Sequence, residues 1–322
     1  MKKIKLPQEL ESLAPFFHDI DLGKRYNTAP ESYRMREAIN LFFPPLLNLC
    51  GGSLKGLRIL DIGCNCGGFS FAAAKYGARE VVGIDSDPHN IKQAKAICAY
   101  LKKTNVKFLK LKVEELREQD LGRFDVSILA GILYHLTNPI ETMQKIARLT
   151  KSILMIDSHV HYSSNNIEED IPSWWMLPDT DRNDLEGLFV GDKTLSLRKY
   201  LKFERENPVD YSSLSNQFIP SPHTRRDIKF VREFMPHGSG EIRSDCNIGS
   251  AKPGGLVLIP NKKALCKMVR YLGFEDLVEV IPHRFSSLPY LGNYRIGLFA
   301  LRRGKKGLFP ISESQRALGN NY

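Results

Sequence analysis

The chain has 322 residues, of which 42% are hydrophobic and 25% charged, with a formal net charge of +10. It reads as soluble and globular, long enough for one large domain or one domain with an elaborate cap. No apolar run is long enough to span a bilayer and the amino terminus MKKIKLPQELES lacks an apolar signal core, so a cytoplasmic location without a membrane partner is expected.

In chain order, residues 1–55 are expected to form an amino-terminal helical cap, and a core occupies 56–158. An apolar run, Leu57 to Leu60, ends in Asp61 and passes into a turn with Gly63, Cys64, Asn65, Cys66, Gly67 and Gly68. A helical segment comes next, and a second apolar run, Val81 to Ile84, closes on Asp85, beside Ser86. Strand, glycine turn, helix and acid-tipped strand form the first half of a nucleotide-binding βαβ unit, whose terminal carboxylate holds ribose hydroxyls. A pyrophosphate needs the middle glycine of G-x-G-x-x-G for close backbone approach. Asn65 stands at that position; asparagine keeps the left-handed turn open but makes a tight phosphate cradle unfavourable. The pattern therefore favours a cofactor without phosphates.

Asp87-Pro88 predicts a helix to about Lys103, capped by the aspartate and with proline in its first turn. Val106 to Leu111 is a third strand, with Val113, Glu114 and Glu115 after it, where a polar contact to an adenine or simply an exposed helix start is expected. Phe124 to Leu129 is a fourth strand, apolar as a strand covered on both faces should be, and it leads through Ala130 into GILYHLTNP. Pro139 begins a helix, and Ser152 to Ile156 is a fifth strand ending in Asp157-x-His159-x-His161. Those three side chains share one face if the strand stays extended; a general base, a divalent metal site and structural histidines are all compatible with them. No third-element ligand is visible, so no metal is assigned.

From 159 to 259 the chain is rich in Ser, Asn, Asp and Pro, without a long periodic helix, and is expected to be an inserted substrate cap. Trp174 and Trp175, His223 and Arg225 are its candidate substrate contacts, the tryptophans serving equally well as the cap's own core. The core resumes over 260–304, with a helix from Pro260 to Phe274 and two strands, Leu277 to Ile281 and Tyr294 to Leu301. Arg284 between them could hold an acidic group. The predicted fold is α/β and Rossmann-like, a seven-stranded mostly parallel sheet with a terminal antiparallel hairpin and a cap insert.

Residues 251–322 hold twelve Lys or Arg against four Asp or Glu, and 305–322 read as a basic tail. The cluster lacks the aromatic interleaving of a single-strand stacking platform, so a solvated face competes with a nucleic-acid surface. The six cysteines show no C-x-x-C pairing, and free thiols are expected.

Asp61-x-Gly63-x-x-x-Gly67 resembles motif I of class I methyltransferases, which implies S-adenosyl-L-methionine as cofactor. FHDIDLGKRYNT (Phe17 to Thr28), DIGCNCGGFS and FDVSILAGILYHLTNP are similar to segments of a narrower branch that includes the tRNA wobble-uridine carboxymethyltransferases. By that resemblance Gly63, Asp85 and Tyr134 touch the cofactor, with Tyr134 near the sulfonium; a core-plugging tyrosine is the plainer alternative. His135 is either a general base or a lock that donates to a backbone carbonyl. Carboxymethyl transfer would need a basic residue facing the cofactor's extra carboxylate, and none aligns in the sequence. The expected activity is methyl transfer to a hydroxyl or amine of a polar small molecule such as a sugar. Modification of tRNA wobble uridine is the alternative, and a non-catalytic cofactor-binding scaffold a distant one. Oligomeric state is left open.

Overall fold

In the computed structural model of the chain, the described residues are 6–23, 26–28, 35–136, 139–160, 174–178, 256–260, 262–280 and 295–302. The amino-terminal part opens with α1 (Gln8–Glu11), a small antiparallel pair β1 (Asp21–Gly23) and β2 (Tyr26–Asn27), and α2 (Met35–Leu49). The βαβ unit then appears as β3 (Arg58–Ile62), α3 (Gly68–Lys75) and β4 (Glu80–Asp85). After it come α4 (Pro88–Tyr100), β5 (Val106–Lys110), a short turn of helix at Val113–Glu115, α5 (Glu118–Leu121) and β6 (Phe124–Ala130). A second short turn, Leu133–His135, precedes α6 (Pro139–Leu149) and β7 (Thr150–His159). The described remainder is β8 (Trp174–Pro178), β9 (Leu256–Pro260), α7 (Lys262–Tyr271), β10 (Asp276–Val280) and β11 (Arg295–Leu301).

Seven strands form one sheet in the order β10-β11-β7-β6-β3-β4-β5. Pairs β5–β4, β4–β3, β3–β6 and β6–β7 are parallel, while β11 runs antiparallel to both β7 and β10. This is the mostly parallel sheet with a terminal hairpin that the apolar runs predict. Alternate residues of each strand feed two layers of core. Ile59, Val81, Val126 and Met155 pack under α2, α3 and α4, whereas Leu60, Val82, Leu129 and Leu154 pack under α6 and α7. The amphipathic spacing of α6 and α7 results from that: Met143 and Ile146 of one helix, and Leu265 and Val269 of the other, are buried.

Local signals set the element ends. Asp87 caps α4, its carboxylate accepting from the His89 N–H at 2.7 Å, with Pro88 in the first turn. Gly273 stops α7 at a φ of +86°. Phe42, Phe43 and Leu46 of α2 are fully buried, Phe42 edge-on to Phe69 and to Phe299, so α2 belongs to the core layer on one sheet face. Before it in the chain, Phe17 and His18 reach the glycine turn at Cys66 and Gly68.

β7 runs three residues past the predicted end, through Asp157 to His159. β8 and β9 pair antiparallel, Trp174 opposite Pro260 and Pro178 opposite Leu256. This ribbon ties Trp174–Pro178 to Leu256–Pro260, and β9 lies beside the Leu133–His135 turn. No described helix is long and apolar enough to cross a membrane.

Candidate functional site

In an open α/β sheet a ligand sits at the carboxyl ends of the strands where the order reverses, here the ends of β3, β4 and β6. Asn65 adopts the left-handed conformation, with φ +49°, as its place in the turn requires. Its N–H donates to Asp85 at 2.8 Å, and its own side-chain oxygen accepts from the Cys66 N–H at 2.7 Å. Asp85 also accepts from the Asp87 N–H at 2.9 Å and from Asn90 at 3.4 Å. The carboxylate that would meet ribose is thus held by the loop on one side and α4 on the other. Burial raises its pKa.

Gly63 has φ +69°, and a Cβ there would lie 2.7 Å from Ile132. Only glycine fits this close approach between the β3 turn and the turn after β6. Cys64 and Cys66 are buried, and burial pushes the Cys66 thiol up to about 12, so both act as small neutral packing groups. The five described cysteines are free thiols; Cys246 lies outside the described residues.

The start of α3 is filled from within the chain. Asp61 is buried and accepts from the Ser70 hydroxyl at 2.6 Å and from the Ser70 N–H, while burial raises its pKa to about 7. The Gly68 N–H donates to Nδ1 of His18 at 3.2 Å. A dinucleotide's pyrophosphate would need these amides, so the geometry fits a nucleoside without phosphates. Val113 is a buried wall beyond the β5 end, whereas Glu114 is exposed and its carbonyl accepts from Lys145 at 2.6 Å. Ser86 and Ala130 stand half-buried at the ends of β4 and β6.

The second cluster lies at the ends of β6 and β7. Tyr134 and His135 are both buried, their rings 4.4 Å apart, and His159 stands edge-on to Tyr134 at 4.5 Å. The His135 imidazole bonds to the Gly131 carbonyl, and burial holds its pKa down at about 3. A neutral ring so reluctant to take a proton is a poor general base at neutral pH. Asp157 and His159 do share one face of the extended β7. They are joined there by Arg295, a residue with no sequence signal of its own. Its Nε and one terminal nitrogen donate to the two Asp157 oxygens, each at 2.7 Å, and the other terminal nitrogen lies 3.1 Å from Nε2 of His159. A guanidinium only donates, so Nε2 of His159 accepts. The guanidinium carbon is 5.9 Å from the Tyr134 ring centre. His161, His223, Arg225 and Arg284 lie outside the described residues, as do the side chains of Trp174 and Trp175, whose backbone forms β8.

Residues 53–190 match a family model described as "Methyltransferase domain". Over that stretch the chain is similar to a methyltransferase domain. A ubiquinone biosynthesis O-methyltransferase of Alkalilimnicola ehrlichii is 35% identical over 117 residues, 36% of this chain and 45% of that protein. A tRNA U34 carboxymethyltransferase of Campylobacter concisus is 25% identical over 187 residues, 54% of this chain and 64% of that one. The chain thus spans less than two thirds of these curated relatives. Among solved structures, the amino-terminal domain of EvdMO1, determined with SAH and D-fucose, superposes with a TM-score of 0.55 over 91% of this chain and 93% of its own, at 18% identity. At that identity the likeness is one of fold. The described residues bring Asp61, Gly63, Asn65 and Asp85 together at the β3 and β4 ends, and Tyr134, His135, Asp157, His159 and Arg295 together at the β6, β7 and β11 ends.

Proposed function

We propose that the chain is an S-adenosyl-L-methionine-dependent methyltransferase acting on a hydroxyl or amine of a polar small molecule, such as a sugar. The observation that carries the choice of acceptor and transferred group is the buried bidentate Arg295–Asp157 pair beside Tyr134, which leaves the cluster without net charge. Arg295 stands where a base could face a carboxylate on the cofactor, but both Asp157 oxygens already take its charge. A second carboxylate would have to compete with a buried bidentate pair, which favours plain methyl transfer over carboxymethyl transfer. The same neutrality suits an uncharged polar acceptor.

When bound, the cofactor supplies an electrophilic methyl group on a sulfonium. The chain's own contribution is placement: Asp85 orients the ribose, Gly63 admits the loop's close approach, and the Tyr134 ring offers a face or hydroxyl to the positive sulfur. Holding acceptor, methyl and sulfur in line is worth about 7–11 kcal/mol in favourable cases. With Asp157 paired and His135 neutral, positioning carries more of the rate than proton removal by these two groups. The β8–β9 ribbon lies beside Leu133–His135, which supports a reading in which the insert encloses the acceptor.

Modification of the tRNA wobble uridine is the second reading, favoured by the names of several relatives and by the Tyr134-His135 turn. Two measurements separate them. Mass spectrometry of a cell extract incubated with the protein and methyl-labelled cofactor should show label in a small polar product. Label in tRNA, together with tight binding of bulk tRNA at low salt, would replace the first reading by the second. No labelled product in either fraction, with cofactor still bound, would leave the scaffold.

A further inference from the structure

The segment FHDIDLGKRYNT has no part in the chemistry above, yet its described residues lie against the glycine turn. Thr28 buckles it: the Thr28 hydroxyl accepts from the Ile20 N–H at 2.8 Å and donates to the His18 carbonyl, and the Thr28 N–H donates to the Ile20 carbonyl at 3.2 Å. Gln93 of α4 ties the preceding stretch, its amide donating to the carbonyls of Leu13 at 2.6 Å and Pro15 at 2.7 Å. The N–H groups of Phe17 and His18 meet the Cys66 sulfur. So fixed, His18 is buried with Nδ1 on the Gly68 N–H, and a Cβ on Gly68 would lie 2.9 Å from that nitrogen and 2.6 Å from Met35. The eight-residue α3 therefore has its first amide taken by a side chain from fifty residues upstream, and its third by Asp61.

We propose that His18 is a specificity-determining residue of the donor site: residues 13–23 and 26–28 hold an imidazole that closes the amino end of α3 and so excludes nucleotides carrying phosphates. The inference rests on the nucleoside-donor reading of the site. Its chemistry is simple. A phosphate at a helix start is stabilised by unsatisfied amides and the helix dipole, and a neutral embedded acceptor removes the amide without supplying a competing charge. The imidazole is in the neutral form for this, since burial lowers its pKa to about 3.

Calorimetric binding of S-adenosylhomocysteine and of ADP to the full chain, as wild type, His18→Ala and His18→Asn, tests it. The wild type should bind S-adenosylhomocysteine and reject ADP. His18→Ala should move the two in opposite directions, weakening S-adenosylhomocysteine and strengthening ADP by roughly tenfold, the scale of a freed helix terminus. His18→Asn, whose amide oxygen can take the Gly68 N–H, should restore exclusion of ADP. A purely structural role predicts that both ligands weaken together; that outcome, or an ADP affinity unchanged in a folded His18→Ala protein, overturns the proposal. Failure of the wild type to bind S-adenosylhomocysteine would instead remove the donor reading, while the ADP comparison would still decide whether His18 guards the helix.

Discussion

The Arg295–Asp157 pair sets a quantitative expectation. The two side chains are 8% and 1% exposed and joined by two bonds of 2.7 Å. For an exposed pair the loss of one partner costs about 0.2–1 kcal/mol, but a buried pair broken on one side leaves an unpaired charge and costs about 3–5 kcal/mol. Burial puts this pair in the second class. Arg295→Met should therefore lower stability by about 3–5 kcal/mol, read as a drop in urea midpoint at constant m-value. At roughly 2–4 °C per kcal/mol, the melting temperature should fall by about 6–20 °C. Asp157→Leu should also destabilise, because it strands the guanidinium. The double variant should recover much of the loss, with a coupling of at least about 2 kcal/mol, since replacing both charges by apolar groups of similar volume is often close to neutral. A cost below about 1 kcal/mol for Arg295→Met, or additive single effects, would show that solvent reaches the pair, and the neutral-cluster argument for plain methyl transfer would fall with it.

Asp85→Ala removes the acceptor of the Asn65 and Asp87 amides and, on the proposed function, of the ribose hydroxyls; at about 1.5–3 kcal/mol per ribose bond to a charged group it should weaken S-adenosylhomocysteine binding by a hundredfold or more in calorimetry. Gly63→Ala places a Cβ 2.7 Å from Ile132 at a positive φ; it should cost about 1–2 kcal/mol from the backbone alone and abolish cofactor binding by displacing the turn after β6, and a variant that binds normally would contradict the close approach. His18 has a folded pKa lowered from 6.5 to about 3, so the unfolded chain binds the extra proton and stability falls as pH drops below 6.5; His18→Asn should flatten that acid loss by about 1.4 kcal/mol per pH unit between pH 6 and 4. Asp61 has the opposite sign: raised from 3.8 to about 7, it contributes stability that is lost as pH rises towards 7, so Asp61→Asn should steepen the acid loss, and denaturation curves from pH 4 to 8 in which the two variants shift the slope the same way would refute the assignment.

Legibility in the sequence depends on the range over which each signal acts. The turn at Gly63 to Gly67, the capped start of α4 and the acid at the end of β4 are set within a few residues of themselves, by backbone angles and local hydrogen bonds, and their sequence signature is nearly their structure. The sheet order accords with the alternation of strands and helices. The apolar run of β7 stops at Ile156 because Asp157 and His159 are polar, and polarity normally marks a strand's exit. Here it marks continued pairing with β11, where Gly297 stands opposite Asp157 and Arg295 opposite His159. His18 is legible only as part of a resemblance, because its partner is the amide of Gly68, and no side-chain pattern announces an amide partner.

Arg295 escapes the sequence for a topological reason that also explains the site. Parallel strands present their carboxyl ends to the ligand, so ligand-binding side chains are expected just after each apolar run. β11 runs the other way, so the end of that strand at the ligand side is its first residue, not its last. The reversal brings a cation to the ends of β6 and β7 without a loop of its own, on a backbone fixed by pairing on both sides. A guanidinium held this way cannot swing to track a ligand, and it meets a carboxylate on the neighbouring strand two residues along. The antiparallel strand thus completes the sheet and supplies the counter-charge that lets Asp157 be buried beside Tyr134. On the proposed function an acceptor entering that end meets a neutral wall, held in place by the same strand reversal that hides Arg295 from the sequence.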